Sequence, residues 1–281
     1  MKKMTAWALI LLLCLGALGV GVAEQAEKQP LGKLTKLGIS EEELNAKVED
    51  GLVELSLFSG FRYFDNYNSM ISALESGGIA AINIDGYMLG YLLSRSKDLA
   101  QLKHPDALEY ELGFSMLLRE EDAELCDRVS QAIADLKADG TMDALKAKYI
   151  DDVIAGNEPE AVTPGSFEGA GTLRVALTGD RPPMDYFSDA GEPIGFNTAL
   201  VTEVAGRLGM NVEFVSVDTG ARAISLATNA SDIVFWSEAG NFDNWEKADT
   251  EDQPEGTLVT EPYLTSELLY AVRADSPLLG E

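Results

Sequence analysis

The chain has 281 residues, of which 47 are Asp or Glu and 21 are Lys or Arg, for a formal net charge of −26. So acidic a chain lacks the clustered cations that phosphate binding needs, which excludes nucleic acid as a partner and speaks for solubility. Its length permits two lobes of ordinary size without requiring them, and two cysteines, Cys14 and Cys126, exclude a disulfide framework.

Met1-Lys2-Lys3, an unbroken apolar run over 6–15 and small residues ending at Gly21-Val22-Ala23 have the pattern of a secretory signal peptide cut after Ala23. The apolar core is short for a membrane span, although an uncleaved anchor is the alternative. Leu13 precedes Cys14 and more apolar sequence follows, which argues against a lipid-modified cysteine. Cleavage leaves Cys126 as the sole thiol, within an apolar-periodic stretch that reads as core. No later segment approaches the ~20 apolar residues that a membrane helix needs.

Ser40 and Glu43 form a capping box opening a helix to about Val48, and 53–58 alternates like a half-buried strand. Met70, Ile71 and Leu74 predict a helix over 66–75, stopped at Gly77-Gly78. The apolar, β-branched run 79–84 is a buried strand ending at Asp85, and 87–94 is a further helix. Leu125, Val129, Ile133 and Leu136 predict a helix over 121–137, ended at Asp139-Gly140; a second helix over 142–149 takes Thr141 as its cap. The Pro- and Gly-rich stretch 156–171 is a linker. Beyond it come a strand over 173–177, a helix over 198–208 closed by Gly209, a strand over 211–215, a helix over 221–227 and a strand over 232–236. This alternation predicts an α/β fold with a mainly parallel sheet, whose ligands bind beyond the carboxyl ends of the strands.

The second half then resembles the amino-terminal lobe of the amino-acid-type extracellular solute-binding proteins, family 3. The resemblance is carried by the strand from Leu173, Pro182-Pro183 with Met184 and Tyr186, Gly191 to Asn197, the helix to Gly209, the strand Val212 to Val215, and Glu261-Pro262-Tyr263 with its strand to Val272. Phe64 to Gly77, Ile79 to Asp85 and the helix from Tyr87 look like the second lobe; Leu112 to Leu118 and the helices that follow look like the segment returning to the first. The order is inverted relative to the family. The resemblance therefore implies a two-lobed periplasmic-binding-protein type 2 fold, circularly permuted. Its parts are a signal peptide (1–23), a second-lobe-like region (24–111), the closing helices of the first lobe (112–155), a linker (156–171) and a first-lobe-like region (172–281). Half-modules paired between chains, or a fragment of a tandem protein, fit the same order.

The resemblance implies a small polar solute, an amino acid or a relative, held in the cleft by a monomer and delivered to an ABC transporter permease after hinge closure, without cofactor or metal. Asp85 matches the family acid that pairs with a ligand amino group, or else it only caps the Tyr87 helix. Met184 holds the position that packs on the ligand, with Tyr186 as its substitute, or as a half-buried loop residue. The family arginine that grips the ligand carboxylate is missing after Trp236-Ser237. Ser237 could supply a hydroxyl there, and Arg222 or Arg181 the charge, although each arginine has a solvated surface role as its alternative; Trp236 either lines the cleft or belongs to the core. The acidic run after Ser237 reads as a solvated loop, and the single histidine, His104, as surface. No nucleophile elbow, phosphate loop or metal cluster points to an enzyme. The alternatives are a cleft-located dehydratase on the same fold and a sensory ligand-binding module.

Overall fold

The computed structural model describes residues 28–34, 57–103, 110–240 and 253–280. The expected signal peptide, the helix expected over 40–48, His104 and most of the acidic run lie outside these residues. Of the strand expected over 53–58 only Leu57 and Phe58 are described, and they are buried in a turn.

In chain order the elements are β1 (Leu31–Leu34), β2 (Phe61–Phe64), α1 (Tyr67–Glu75), β3 (Ala81–Asp85), α2 (Gly86–Arg95), β4 (Leu99–Leu102), β5 (Tyr110–Arg119), α3 (Ala123–Ala138) and α4 (Thr141–Lys146). Helix α4 runs on through a π turn at Ala147–Asp151 to Asp152–Ile154. After the linker come β6 (Thr172–Leu177), a small antiparallel sheet of β7 (Asp180–Arg181), β8 (Asp185–Phe187) and β9 (Pro193–Ile194), then α5 (Phe196–Leu208), β10 (Asn211–Ser216), α6 (Arg222–Ala227), β11 (Ile233–Gly240), β12 (Thr257–Val259) and β13 (Leu264–Arg273).

The large sheet has the order β10-β6-β11-β5-β13-β3-β1-β2, with β12 also on β5 and β4 also on β13. Parallel pairing, as the alternation predicts, joins β6 with β10 and β11, and β1 with β2 and β3; α5 connects β6 to β10, and α6 connects β10 to β11. Two ten-residue strands, β5 and β13, run antiparallel to all their neighbours, so the whole sheet is mixed. They also join its halves. Leu264 to Leu268 pair with Phe114 back to Tyr110; β5 then continues beside β11 and β12, and β13 beside β3 and β4.

Each half has its own apolar core, as expected for a sheet whose helices turn their apolar faces onto it. Met116, Val129, Ile133, Leu136, Val175, Phe196, Leu200 and Phe235 pack in one. Met70, Leu74, Ile82, Ile84, Met88 and Leu89 pack in the other. A third cluster, against the face of β13 that carries Tyr270 and Val272, brings together Leu31 near the start of the described chain and Leu278 near its end.

The helix ends follow from local chemistry. Asn66 accepts from the Ser69 amide and caps α1. Gly140, at φ +82°, precedes α4, whose first residue is Thr141; the Thr141 amide is taken by Asp139 Oδ1 at 3.0 Å, so the cap expected of Thr141 is supplied by its neighbours. Gly195 at φ +106° is required where α5 starts: a Cβ there would lie 2.6 Å from the Met184 carbonyl oxygen. The Pro183 and Met184 carbonyls accept the Phe196 and Asn197 amides at 3.0 and 2.7 Å, which satisfies two amides that a helix start leaves free.

Candidate functional site

The groups that converge between the two halves come from strand ends and helix starts. Asp85 is the last residue of β3 and caps α2, its Oδ1 accepting from the Met88 amide at 2.9 Å. Across the junction, the β7–β8 hairpin carries Asp180 and Arg181. Arg181 is only 4% exposed, and its guanidinium lies 3.6 Å from Asp85 Oδ2 and 5.3 Å from the centre of the Tyr67 ring. Asp180 Oδ2 accepts the backbone amide of Tyr67, in the first turn of α1, at 2.7 Å. A hydrogen bond, an ion pair and the Arg181–Tyr67 contact therefore tie the β7–β8 hairpin to the other half.

A buried network fixes that hairpin. Asp185 accepts from the Thr178 amide and hydroxyl at 3.2 and 2.9 Å and from the Gly179 amide at 3.4 Å, and its other oxygen accepts from Asn197 Nδ2 at 3.0 Å. The Tyr263 hydroxyl in turn donates to Asn197 Oδ1 at 2.8 Å. Each member orients the next, and the last holds the turn before Asp180 and Arg181.

Burial governs the charges. It pushes the Asp85 carboxyl above its usual range, with Arg181 and the Met88 and Tyr87 amides acting in the opposite direction. Asp180 is likewise raised by burial, against the Tyr67 amide. For Arg181, burial disfavours the cation, but Tyr67, Asp185 and Asp85 more than offset it and the net shift is upward. Arg222 differs: burial, and then repulsion from Arg181, lower it to about 10. Its guanidinium donates to the Thr219 and Phe235 carbonyls at 3.2 and 2.8 Å and lies 5.8 Å from the Trp236 ring centre; no described carboxylate pairs with it.

Several buried polar atoms have no hydrogen-bond partner among the described residues: Asp85 Oδ2, Asp180 Oδ1, Arg181 Nε and Thr219 Oγ1. Two are carboxylate acceptors and two are donors. A small molecule carrying both an ammonium and a carboxylate satisfies such a set, because each charged end gains short, charge-assisted hydrogen bonds.

Of the residues singled out from sequence, the structure brings together Asp85 and Arg181, with Arg222 electrostatically coupled to Arg181. Asp85 performs the capping role that was one of its two readings. Neither arginine is a solvated surface residue. Met184 is fully buried and packs with Phe196 and Leu200 in the core beneath α5. Tyr186 is half-buried, 6.1 Å from the Tyr91 ring of α2, which makes it a contact between the halves. Trp236 is part-buried against Leu117, Leu226 and Val234, and Ser237 pairs with Phe114 in the sheet. Sequence reasoning missed Tyr67, Asp180 and Thr219. The available signal was Asp180 directly before Arg181 in a turn of Gly and Pro; nothing local pointed to Tyr67, which is 113 residues from Asp180.

Among the described residues no group of His, Cys, Asp and Glu is placed to hold a metal ion, and no helix is long and apolar enough to cross a membrane. Cys126 is buried, as its periodic setting predicts, and burial raises its thiol pKa.

No curated protein matches the chain. Among solved structures, the GluR0 ligand-binding core in complex with L-glutamate is 11% identical (TM-score 0.42, covering 91% of this chain and 89% of that one). Truncated ArgBP from T. maritima, in its arginine-bound form, is 13% identical (TM-score 0.41, covering 89% and 91%). The ancestral amino acid-binding protein AncCDT-1, a precursor of cyclohexadienyl dehydratase, is 10% identical (TM-score 0.42, covering 90% and 84%). Residues 173–278 match the family described as bacterial extracellular solute-binding proteins, family 3. The matched residues supply β6 to β13 and with them Arg181, Arg222 and Tyr263, so the similarity to that family is carried by the second half of the chain.

Proposed function

We propose that the protein captures a small zwitterionic solute of the amino-acid class outside the cytoplasm and delivers it, as a monomer, to the permease of an ABC importer. The observation that carries this reading is that two buried acceptors where the halves meet, Asp85 Oδ2 and Asp180 Oδ1, have no hydrogen-bond partner among the described residues. Arg222, whose described partners are backbone carbonyls and the Trp236 ring, adds a cation for the ligand carboxylate. The solute closes the two lobes by binding groups from both, so its differential affinity for the closed state drives the hinge. Thermal denaturation in the presence of an amino-acid and polyamine panel tests this. A ligand at a hundred times its Kd stabilises by about 2.7 kcal/mol, which for a chain of this size is a rise of roughly 5–10 °C in Tm. If none of the panel raises Tm, the capture reading fails; turnover of a prephenate-like substrate would replace it with a dehydratase.

The order of parts is, in this reading, a circular permutation. It is supported by the resemblance of residues after the linker to the family's first lobe, and by Leu31 and Leu278 packing in one cluster, which brings the two ends of the described chain to the same face. A variant joining residue 280 to residue 28 by a short Gly-Ser segment, and opened within 156–171, is expected to unfold in one cooperative transition at a Tm close to the parent's and to remain monomeric by light scattering. Assembly only as dimers would instead favour half-modules paired between chains.

A further inference from the structure

The Asp85 carboxylate is already engaged by a cation that belongs to the protein. Arg181 reaches it across the junction, at 3.6 Å, too long for a hydrogen bond; Asp85 Oδ2 and Arg181 Nε are both left without one. The contact is therefore close enough for attraction between ions and loose enough to be exchanged. A ligand ammonium bonded to the same oxygen would sit about 2.8 Å from it, within a few ångströms of a buried guanidinium of like charge. The two cations repel each other there and so compete for Asp85. Arg181 also has somewhere else to go, since the neighbouring Asp180 keeps an unpartnered oxygen, Oδ1.

We propose that Arg181 is an internal stand-in for the ligand ammonium, which clasps the two lobes in the absence of solute and competes with an amino-bearing solute for Asp85. This rests on the capture reading given above. It makes Arg181 a specificity-determining residue: the chain's own cation competes with every ligand amine, and the apparent affinity falls by the fraction of molecules in which Arg181 occupies Asp85. The Tyr67 amide on Asp180 and the Tyr91–Tyr186 contact complete the clasp.

Small-angle scattering of the solute-free protein tests the clasp, and calorimetry with L-glutamate and glutarate, which differ only by the amine, tests the competition. Arg181→Met and Asp85→Asn are each expected to increase the radius of gyration, the double variant to increase it no further, and Arg181→Lys to retain the wild-type value. Asp85→Asn keeps a side chain able to cap α2, and far-UV circular dichroism reports whether each variant is folded. Arg181→Met is expected to bind L-glutamate about tenfold more tightly than the wild type, with no gain for glutarate. An unchanged radius in both single variants, or an equal gain for both ligands, overturns the proposal. If neither ligand binds any variant, L-glutamate capture fails, while the scattering comparison still decides whether Arg181 clasps the lobes.

Discussion

Asn197→Ala is expected to lower the unfolding free energy by about 3 kcal/mol, measured by urea denaturation, and to weaken solute binding at the same time. Asn197 is fully buried, and its two side-chain atoms serve two other buried groups, Tyr263 Oη and Asp185 Oδ2. Truncation leaves both unpaired, each at a cost of about 1–3 kcal/mol. The better helix propensity of Ala returns only a fraction of this. The network makes a sharper expectation available. In a Tyr263→Phe background one of the stranded groups is already gone, so Asn197→Ala costs less there than in the wild type; simple additivity would show that the three side chains do not act as a unit. Binding falls because Asp185 holds the Thr178-Gly179 turn, and the next two residues are Asp180 and Arg181.

Asp232→Ala is expected to cost about 2–3 kcal/mol, near the lower end of what breaking a buried ion pair costs. Its carboxylate accepts from Arg119 at 2.9 Å, from the Arg174 guanidinium at 2.5 Å and from the Arg174 amide at 2.9 Å, so one side chain ties β11 to β5 and β6. Arg119 is 12% exposed and keeps Asp122 at 2.6 Å, while Arg174 is 32% exposed, which moderates the loss. The pH dependence has a definite sign. Burial raises the Asp232 pKa, but the Arg174 and Arg119 hydrogen bonds outweigh it and the folded value lies below the ordinary one. Its stabilisation is therefore fully present above the unfolded carboxylate value of about 3.9 and disappears as pH falls through the folded value. Denaturation of wild type and Asp232→Ala is expected to differ at pH 7 and to converge as pH falls through the lowered folded value of Asp232. A difference that persists undiminished would assign the effect to packing.

The elements legible in the sequence were those whose signals are local. Met70 and Leu74 gave α1 its apolar face, Gly209 closed α5 in the left-handed region, and β3 was visible as a short β-branched run with Asp85 at its end. What escaped was written in pairings rather than in periodicity. β1, β2 and β4 are four residues each, too short for alternation to register, and β7 to β9 are shorter still. The site divided in the same way. Asp85 could be located because a strand end and a helix cap coincide there. Met184 stands out in the sequence only for its place after the proline pair, whereas its burial comes from packing with Phe196 and Leu200 of α5, further along the chain. Asp180 and Tyr67 acquire a role only by meeting, and their meeting requires both halves of the sheet.

The two long strands that join the halves are also hydrogen-bonded to each other, over Leu264 to Leu268 and Phe114 to Tyr110. Independent connectors could slide, twist or swing separately. A laced pair moves as one strip, and a thin β-strip is compliant to bending and twist but stiff to stretching and shear. If the halves hinge on this strip as proposed, it works like a leaf spring, expected to confine their travel to one arc and to return Asp85 and Arg181 to the same register.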